Sequence, residues 1–283
     1  MPLTYLDQNA VIYLEQAAND PAFRAKLDTA IRSGKLTVVL SSWHLIETAK
    51  TKDVAKAVRL ADFIESLRPA WLLERHTIQT LEVREDFYRF AKLKFEGTPR
   101  LGTLAYVIAT LNGEKESPKY NIRPRAFVEQ WIRYPDQLDV LNRSSEDNAK
   151  ALDGLRQAIK DGKMTDEIRK RADQVFLKSV LPATTPNGLE IPGDVATAYV
   201  ERGDIKSIPT RAIEHAISDH EWKSMGRTDA NSLIDKFHLI PASQYVDEVV
   251  SDDGFLHRLY PVAEKTGYVR AKLIRFAEFL KRF

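Results

Sequence analysis

Strand-like segments lie at the two ends of this chain, and nearly everything between them reads as helix. Near the N-terminus Leu3–Leu6 is a short apolar run ended by Asp7-Gln8-Asn9, and Ala10–Leu14 continues with helical spacing. Pro21–Ser33 reads as a second helix closed by Gly34, and the β-branched run Leu36–Leu40 then opens at Ser41-Ser42 into a helix carrying Glu47. The strand pattern returns only at Val246–Ser251, after a helix over about 231–244, and at Arg270–Ile274, before a closing helix at 276–283. Strands alternating with helices pair in parallel, so the expected fold is α/β. Its sheet is assembled from both chain ends, with a large, mostly helical insertion between them.

Within that insertion Val54, Val58, Ala61, Ile64 and Leu67 recur three or four apart and would bury one helix face. Trp71–Leu73 is the one plausible strand there. Gly and Pro mark loops at 97–99, 113–118 and 181–192, of which the last is the most linker-like. With 43% hydrophobic residues and only 12 Gly and 13 Pro, the composition is that of a folded protein. The absence of cysteine excludes disulfides, thiol nucleophiles and cysteine-held metals. No charged and apolar leader opens the chain, and no apolar run approaches the ~18 residues of a membrane span. A soluble, cytoplasmic protein without membrane contact is expected.

In an open parallel sheet, ligands and chemistry collect at the carboxyl ends of the strands. The first strand delivers Asp7 there, the helix after the second delivers Glu47, the late helix offers Asp235, and the third strand ends at Asp252-Asp253. Converging carboxylates repel one another unless protons or cations neutralise them. Mg²⁺ or Mn²⁺, which take oxygen ligands and keep waters, are the natural occupants. Such ions activate water and stabilise the charge that develops on a phosphodiester during in-line displacement.

Tyr5-Leu6-Asp7-Gln8-Asn9, the run from Ser41 to Glu47, Asp235-Lys236-Phe237-His238 and the Ser251-Asp252-Asp253 turn together resemble the PIN domain, a metal-dependent nuclease fold. The ending, Ala271 to Leu280, is similar to the family's closing strand and helix. The resemblance covers 1–50 and 229–283, and implies a nuclease core of 1–51 and 229–283 with residues 52–228 as helical insertion or cap. That middle exceeds the family's usual length. The resemblance implies metal-ligand and catalytic roles for Asp7, Glu47, Asp235 and Asp253, with Asp252 competing for the fourth place. It further implies RNA, or else DNA, as substrate, and a toxin's protein antitoxin or a homodimer as partner.

Each residue also has a plainer reading. Asp7 suits a helix N-cap, Glu47 a solvated helix charge, and Asp252-Asp253-Gly254 an ordinary turn. His238 shares a helix face with Asp235 and would orient it, contact a phosphate or sit in the core. Asn9 and Ser251 suit hydrogen bonding to the acids or turn capping.

The net charge, +2 from 42 basic and 40 acidic residues, decides nothing about nucleic acid. Local excesses are more useful: Lys119, Arg123 and Arg125, and the stretch from Arg258 through Arg270, Lys272 and Arg275, suit either a phosphate-facing or a solvated surface. Glu82, Glu85 and Asp86 read as a solvated stripe with ion pairs. Phe87, Tyr88, Phe90 and Phe95 read as core, with stacking on single-stranded RNA the sharper alternative. His215 and His220, five apart, do not align as a zinc pair. No P-loop, dinucleotide, zincin or nucleophile-elbow motif occurs.

The leading expectation is a Mg²⁺- or Mn²⁺-dependent endoribonuclease whose helices from the 77–135 region rim the site. The rivals are a catalytically silent module that binds RNA or protein, and a structure-selective DNA nuclease.

Overall fold

The computed structural model describes the chain except residues 1, 113–121, 164 and 225–229; side chains at scattered positions of 141–160 and at 222–235 and 237 are also outside the description. The elements run β1 (Leu3–Leu6), α1 (Gln8–Ala17), α2 (Pro21–Arg32), β2 (Thr37–Ser41), α3 (Ser42–Ala49), α4 (Val54–Ser66), β3 (Ala70–Leu72) and α5 (Arg75–Phe90). There follow β4 (Leu101–Gly102), α6 (Leu104–Leu111), α7 (Pro124–Arg133), α8 (Pro135–Lys160), α9 (Asp166–Val180), α10 (Gly193–Arg202) and α11 (Pro209–Ser224). The chain closes with α12 (Ala230–Tyr245), β5 (Glu248–Val250), α13 (Gly254–Glu264), β6 (Lys272–Ile274) and α14 (Phe276–Leu280).

The six strands form one sheet in the order β4-β3-β2-β1-β5-β6, parallel except for the antiparallel edge strand β4. The α/β reading with a mostly parallel sheet therefore holds, and β1 is central in it: Tyr5 pairs with Val39 on one side and Val249 on the other. The sheet also takes β3 and β4 from the 52–228 stretch, and α4 packs its Ala57, Leu60, Ala61 and Ile64 into the same main core as β1 and β2. β4, only two residues long, carries too little periodicity to be read from sequence.

Local chemistry starts the helices where they start. Asp7, Asp20, Asp53, Thr103, Thr165 and Asp253 accept a backbone N–H as N-caps, and Pro21 and Pro124 sit in first turns where no N–H is needed. Gly34, at φ 71°, lets the chain leave α2 and enter β2.

The helical middle has its own core of Val83, Phe87, Leu177, Val180, Tyr199, Ile205 and Ile208. Phe87 is thus core, as its plainer reading has it, and Tyr88 and Phe90 pack against the same cluster. The acidic stripe of α5 is not solvated. Glu82 is 3% exposed and accepts hydrogen bonds from Thr210 N and Oγ1 at 2.9 and 2.7 Å and from Tyr245. Asp86 accepts from Tyr199 and Ser207 at 2.9 Å each, and Glu85 pairs with Arg100 at 2.9 Å. The 181–192 stretch, between α9 and α10, folds on itself: Thr184 bridges Glu190 and the Thr185 N–H reaches Leu189 O at 2.7 Å. Among the described residues no helix is long and apolar enough to cross a membrane.

Candidate active site

Because β1, β2, β3, β5 and β6 run in parallel, their carboxyl ends open on one side of the sheet. Leaving β1, the chain reaches Asp7, whose N–H binds Val250 O on the neighbouring β5. Leaving β5 it forms the Ser251-Asp252-Asp253 turn, leaving β2 it enters α3 with Glu47 in the second turn, and leaving β3 it reaches Glu74. Acids from four strand ends therefore stand at one edge of the sheet. The N-termini of α1, α3, α13 and α14 point to that same edge, where their partial positive charge favours anions.

Asp7 is both an N-cap and a member of this group. Its Oδ1 accepts the Ala10 N–H at 2.6 Å, and its pKa is raised to about 6, first by burial and then by the charges of Asp253 and Asp252, against hydrogen bonds from Ser251 and Ala10. Asp253 caps α13 through Oδ1, at 2.5 Å from Phe255 N and 3.1 Å from Leu256 N. Its own N–H reaches Ser251 Oγ at 3.0 Å, which locks the turn. Asp252, exposed, turns instead toward the last strand and helix: its Oδ1 takes the Phe276 N–H at 3.1 Å and its carbonyl takes Arg275 at 2.6 Å. Of the two competitors, Asp253 presses harder on Asp7.

Glu47 is raised to about 7, by burial first and then by Asp7, while Lys50 one turn on pulls the other way. Its Oε2 is buried without a hydrogen-bond partner. Facing it at 3.8 Å is His238 Nε2, likewise buried and unpartnered. His238 stands on α12, where Nδ1 meets the Tyr5 hydroxyl and, at 3.2 Å, Ser41 Oγ. Burial and the neighbouring His44 hold its pKa well below the ordinary histidine value, so the ring is neutral. His44 is neutral too, lowered to about 4 by burial; its Nε2–H donates to Leu6 O at 2.7 Å, leaving Nδ1 to accept the Ser41 N–H at 3.1 Å.

Asp235 lies on α12 one turn before His238, and its side chain is outside the described residues. Asn9 is exposed in the first turn of α1 at the same edge.

Of the basic residues singled out from sequence, Lys272, Arg123 and Arg125 are elsewhere. Lys272 begins β6, hence stands at the amino edge, and pairs with Glu278 at 3.0 Å. Arg123 and Arg125 flank the start of α7 against the C-terminal half of α4, which leads into the amino end of β3. They pair with Glu65 at 3.7 Å, Asp62 at 3.3 Å and Glu129 at 2.8 Å. Nearby acids neutralise all three, and Lys119 is outside the described residues. At the carboxyl edge stand Arg275, and Arg258 one turn into α13 with its guanidinium 5.9 Å from the Phe255 ring.

A divalent cation is what the acid set implies. The donors fit in kind, being hard oxygens of which one, Glu47 Oε2, is buried and orphaned. Among the described residues no group of three acid or histidine side chains is already spaced to hold an ion. The remaining candidate ligand is Asp235.

No family model, curated protein or solved structure matches this chain. The geometry of the edge therefore carries the reading by itself.

Sequence reasoning passed over Glu74. This acid is raised to about 7 by burial despite hydrogen bonds from Ser42 and the Trp43 indole, and it shares the electrostatic environment of Tyr5 with Glu47 and Asp7. The signal was present, since Ala70–Glu74 repeats the pattern of an apolar strand ending in an acid seen at Leu3–Asp7. Tyr5 and His44 also went unmarked; an aromatic inside a core strand and a helix histidine look like packing until their neighbours are known.

Proposed function

We propose that the protein is a Mg²⁺- or Mn²⁺-dependent nuclease, an endoribonuclease of the PIN kind. The observation that carries this reading is the delivery of Asp7, Glu47 and Asp253 to one edge from three adjacent parallel strands, with the Asp7 and Glu47 carboxyls kept from ordinary ionisation by burial and mutual charge. Asp7, Glu47, Asp253 and, from α12, Asp235 would hold the ion. When bound there, a divalent cation supplies an activated water and charge stabilisation for a phosphodiester.

The protein's own part is positioning. The Ala10 N–H fixes Asp7, the Phe255 and Leu256 N–H groups fix Asp253, and Ser251 ties the two together. Arg258 and Arg275 at the same edge supply cations for flanking phosphates, with the helix N-termini adding to them. α5 leaves this edge directly after Glu74 and, with α11 and α12 packed on it, walls one side, which favours flexible single strands over a rigid duplex.

The test is cleavage of labelled single-stranded RNA, single-stranded DNA and duplex, each with Mg²⁺, Mn²⁺ or chelator. Metal-dependent RNA cleavage lost in Asp7→Asn and Asp253→Asn is the expected outcome. Binding of RNA with no cleavage under any metal would move the assignment to a silent binding module, the reading favoured by the lack of a ready three-ligand group among the described residues.

A further inference from the structure

The Glu47–His238 pair at the carboxyl edge has a geometry that hydrogen bonding within the protein does not explain. Glu47 Oε2 and His238 Nε2 are 3.8 Å apart, too far to bond each other, and neither has another partner. Leaving a buried polar atom unmade costs about 1–3 kcal/mol, so two facing each other mark a place for a third group. His238 is 7% exposed, and its orphan nitrogen is aimed into the acid group.

We propose that His238 Nε2 is a nitrogen ligand of the cation at this edge, so that the site takes an imidazole-binding divalent ion of the Mn²⁺ or Zn²⁺ type in preference to Mg²⁺. The inference rests on the nuclease reading for the presence of a cation and adds which kind it is.

The geometry agrees. Donors 3.8 Å apart, each about 2.1 Å from an ion, subtend roughly 130° at it, and a closure of about 0.4 Å brings that to the tetrahedral angle. Asp7, whose charge acts on Glu47, is the next acid along the edge. The far side of the ring is built for the task. A metal-bound imidazole hands its other N–H to an oxygen, which fixes tautomer and orientation. Nδ1 of His238 already meets two such oxygens, the Tyr5 hydroxyl and Ser41 Oγ. His44 does not compete, since Leu6 O and the Ser41 N–H occupy both its nitrogens. Imidazole suits Zn²⁺ and the later transition ions best, and Mn²⁺, the first ion of that affinity series, accepts it more readily than Mg²⁺, which keeps to oxygen and water.

The experiment is pulsed electron paramagnetic resonance of the 283-residue chain loaded with Mn²⁺, with affinities for Mn²⁺ and Mg²⁺ measured by calorimetry. The expected result is one nitrogen hyperfine coupling in the wild type that disappears in His238→Asn, with the preference for Mn²⁺ over Mg²⁺ falling by about tenfold. Tyr5→Phe keeps the ligand but removes its orienting hydroxyl, and should retain the coupling with Mn²⁺ bound about tenfold more weakly; it also serves if His238→Asn does not fold. Mn²⁺ bound without nitrogen coupling would overturn the inference and leave the nuclease reading standing. A flat titration with Mn²⁺ and Mg²⁺ would overturn both.

Discussion

Two groups of buried and half-buried acids divide this molecule. In the helical middle, Glu82 and Asp86 have donors for their oxygens from Thr210, Tyr245, Tyr199 and Ser207, and Glu85 has Arg100. At the carboxyl edge Glu47 keeps an orphan oxygen, and Asp7, Glu47 and Glu74 are pushed up to about 6, 7 and 7. Burial raises the Glu82 pKa as well, but three hydrogen bonds and Arg100 oppose it. The difference lies in completeness. A buried carboxylate with all its donors joins helices, whereas one that is short of partners is poised for something from outside.

The largest effects should come from the incomplete group. Asp7→Asn or Asp253→Asn keeps size and capping ability but removes a charge; cleavage should fall by orders of magnitude while the melting temperature without metal stays level or rises. Retained cleavage in Asp7→Asn would erase the distinction between the two groups. Glu82→Ala should do the reverse, leaving metal binding intact and costing about 3 kcal/mol of stability in urea titration, because the Thr210 and Tyr245 donors lose their acceptor in the core.

The next effect is a pH dependence of opposite sign to that of salt-bridged acids. For Glu47 and Asp7 the folded pKa, about 7 and about 6, exceeds the ordinary values of 4.5 and 3.8. Between those limits the folded state holds more protons than the unfolded one, so stability is full below about pH 4 and falls as pH rises through about 7. For Glu47 this is of the order of 3 kcal/mol, read as a melting temperature that drops across that window without metal. Glu47→Gln or added Mn²⁺ should flatten the curve. A melting temperature that climbs from pH 4 to 7 would mean that the edge acids are held ionised by cationic partners.

The smallest effect separates the two edges of the sheet. Reversing Arg258 or Arg275 should lower the salt slope of RNA binding by about one unit or slightly less each. Reversing Lys272, Arg123 or Arg125, all ion-paired and away from the carboxyl edge, should leave it unchanged. Equal losses from both sets would extend the binding surface around the whole sheet.

Much of the frame was legible in the residues alone. The runs that became β1, β2, β5 and β6, the parallel pairing imposed by helices between them, and the arrival of Asp7, Glu47 and Asp253 at one edge all follow from local patterns, because backbone period and strand direction are properties of a few consecutive residues. Which charges would be buried, and in what company, was not local. Glu82 looked solvated until Thr210 and Tyr245 closed over it, Lys272 looked like a phosphate contact until Glu278 met it, and His238 found Glu47 from far along the chain. The cost of burying a charge depends on donors that arrive from other elements, and sequence spacing does not encode their arrival; tertiary packing alone decided which acids were satisfied and which were left waiting.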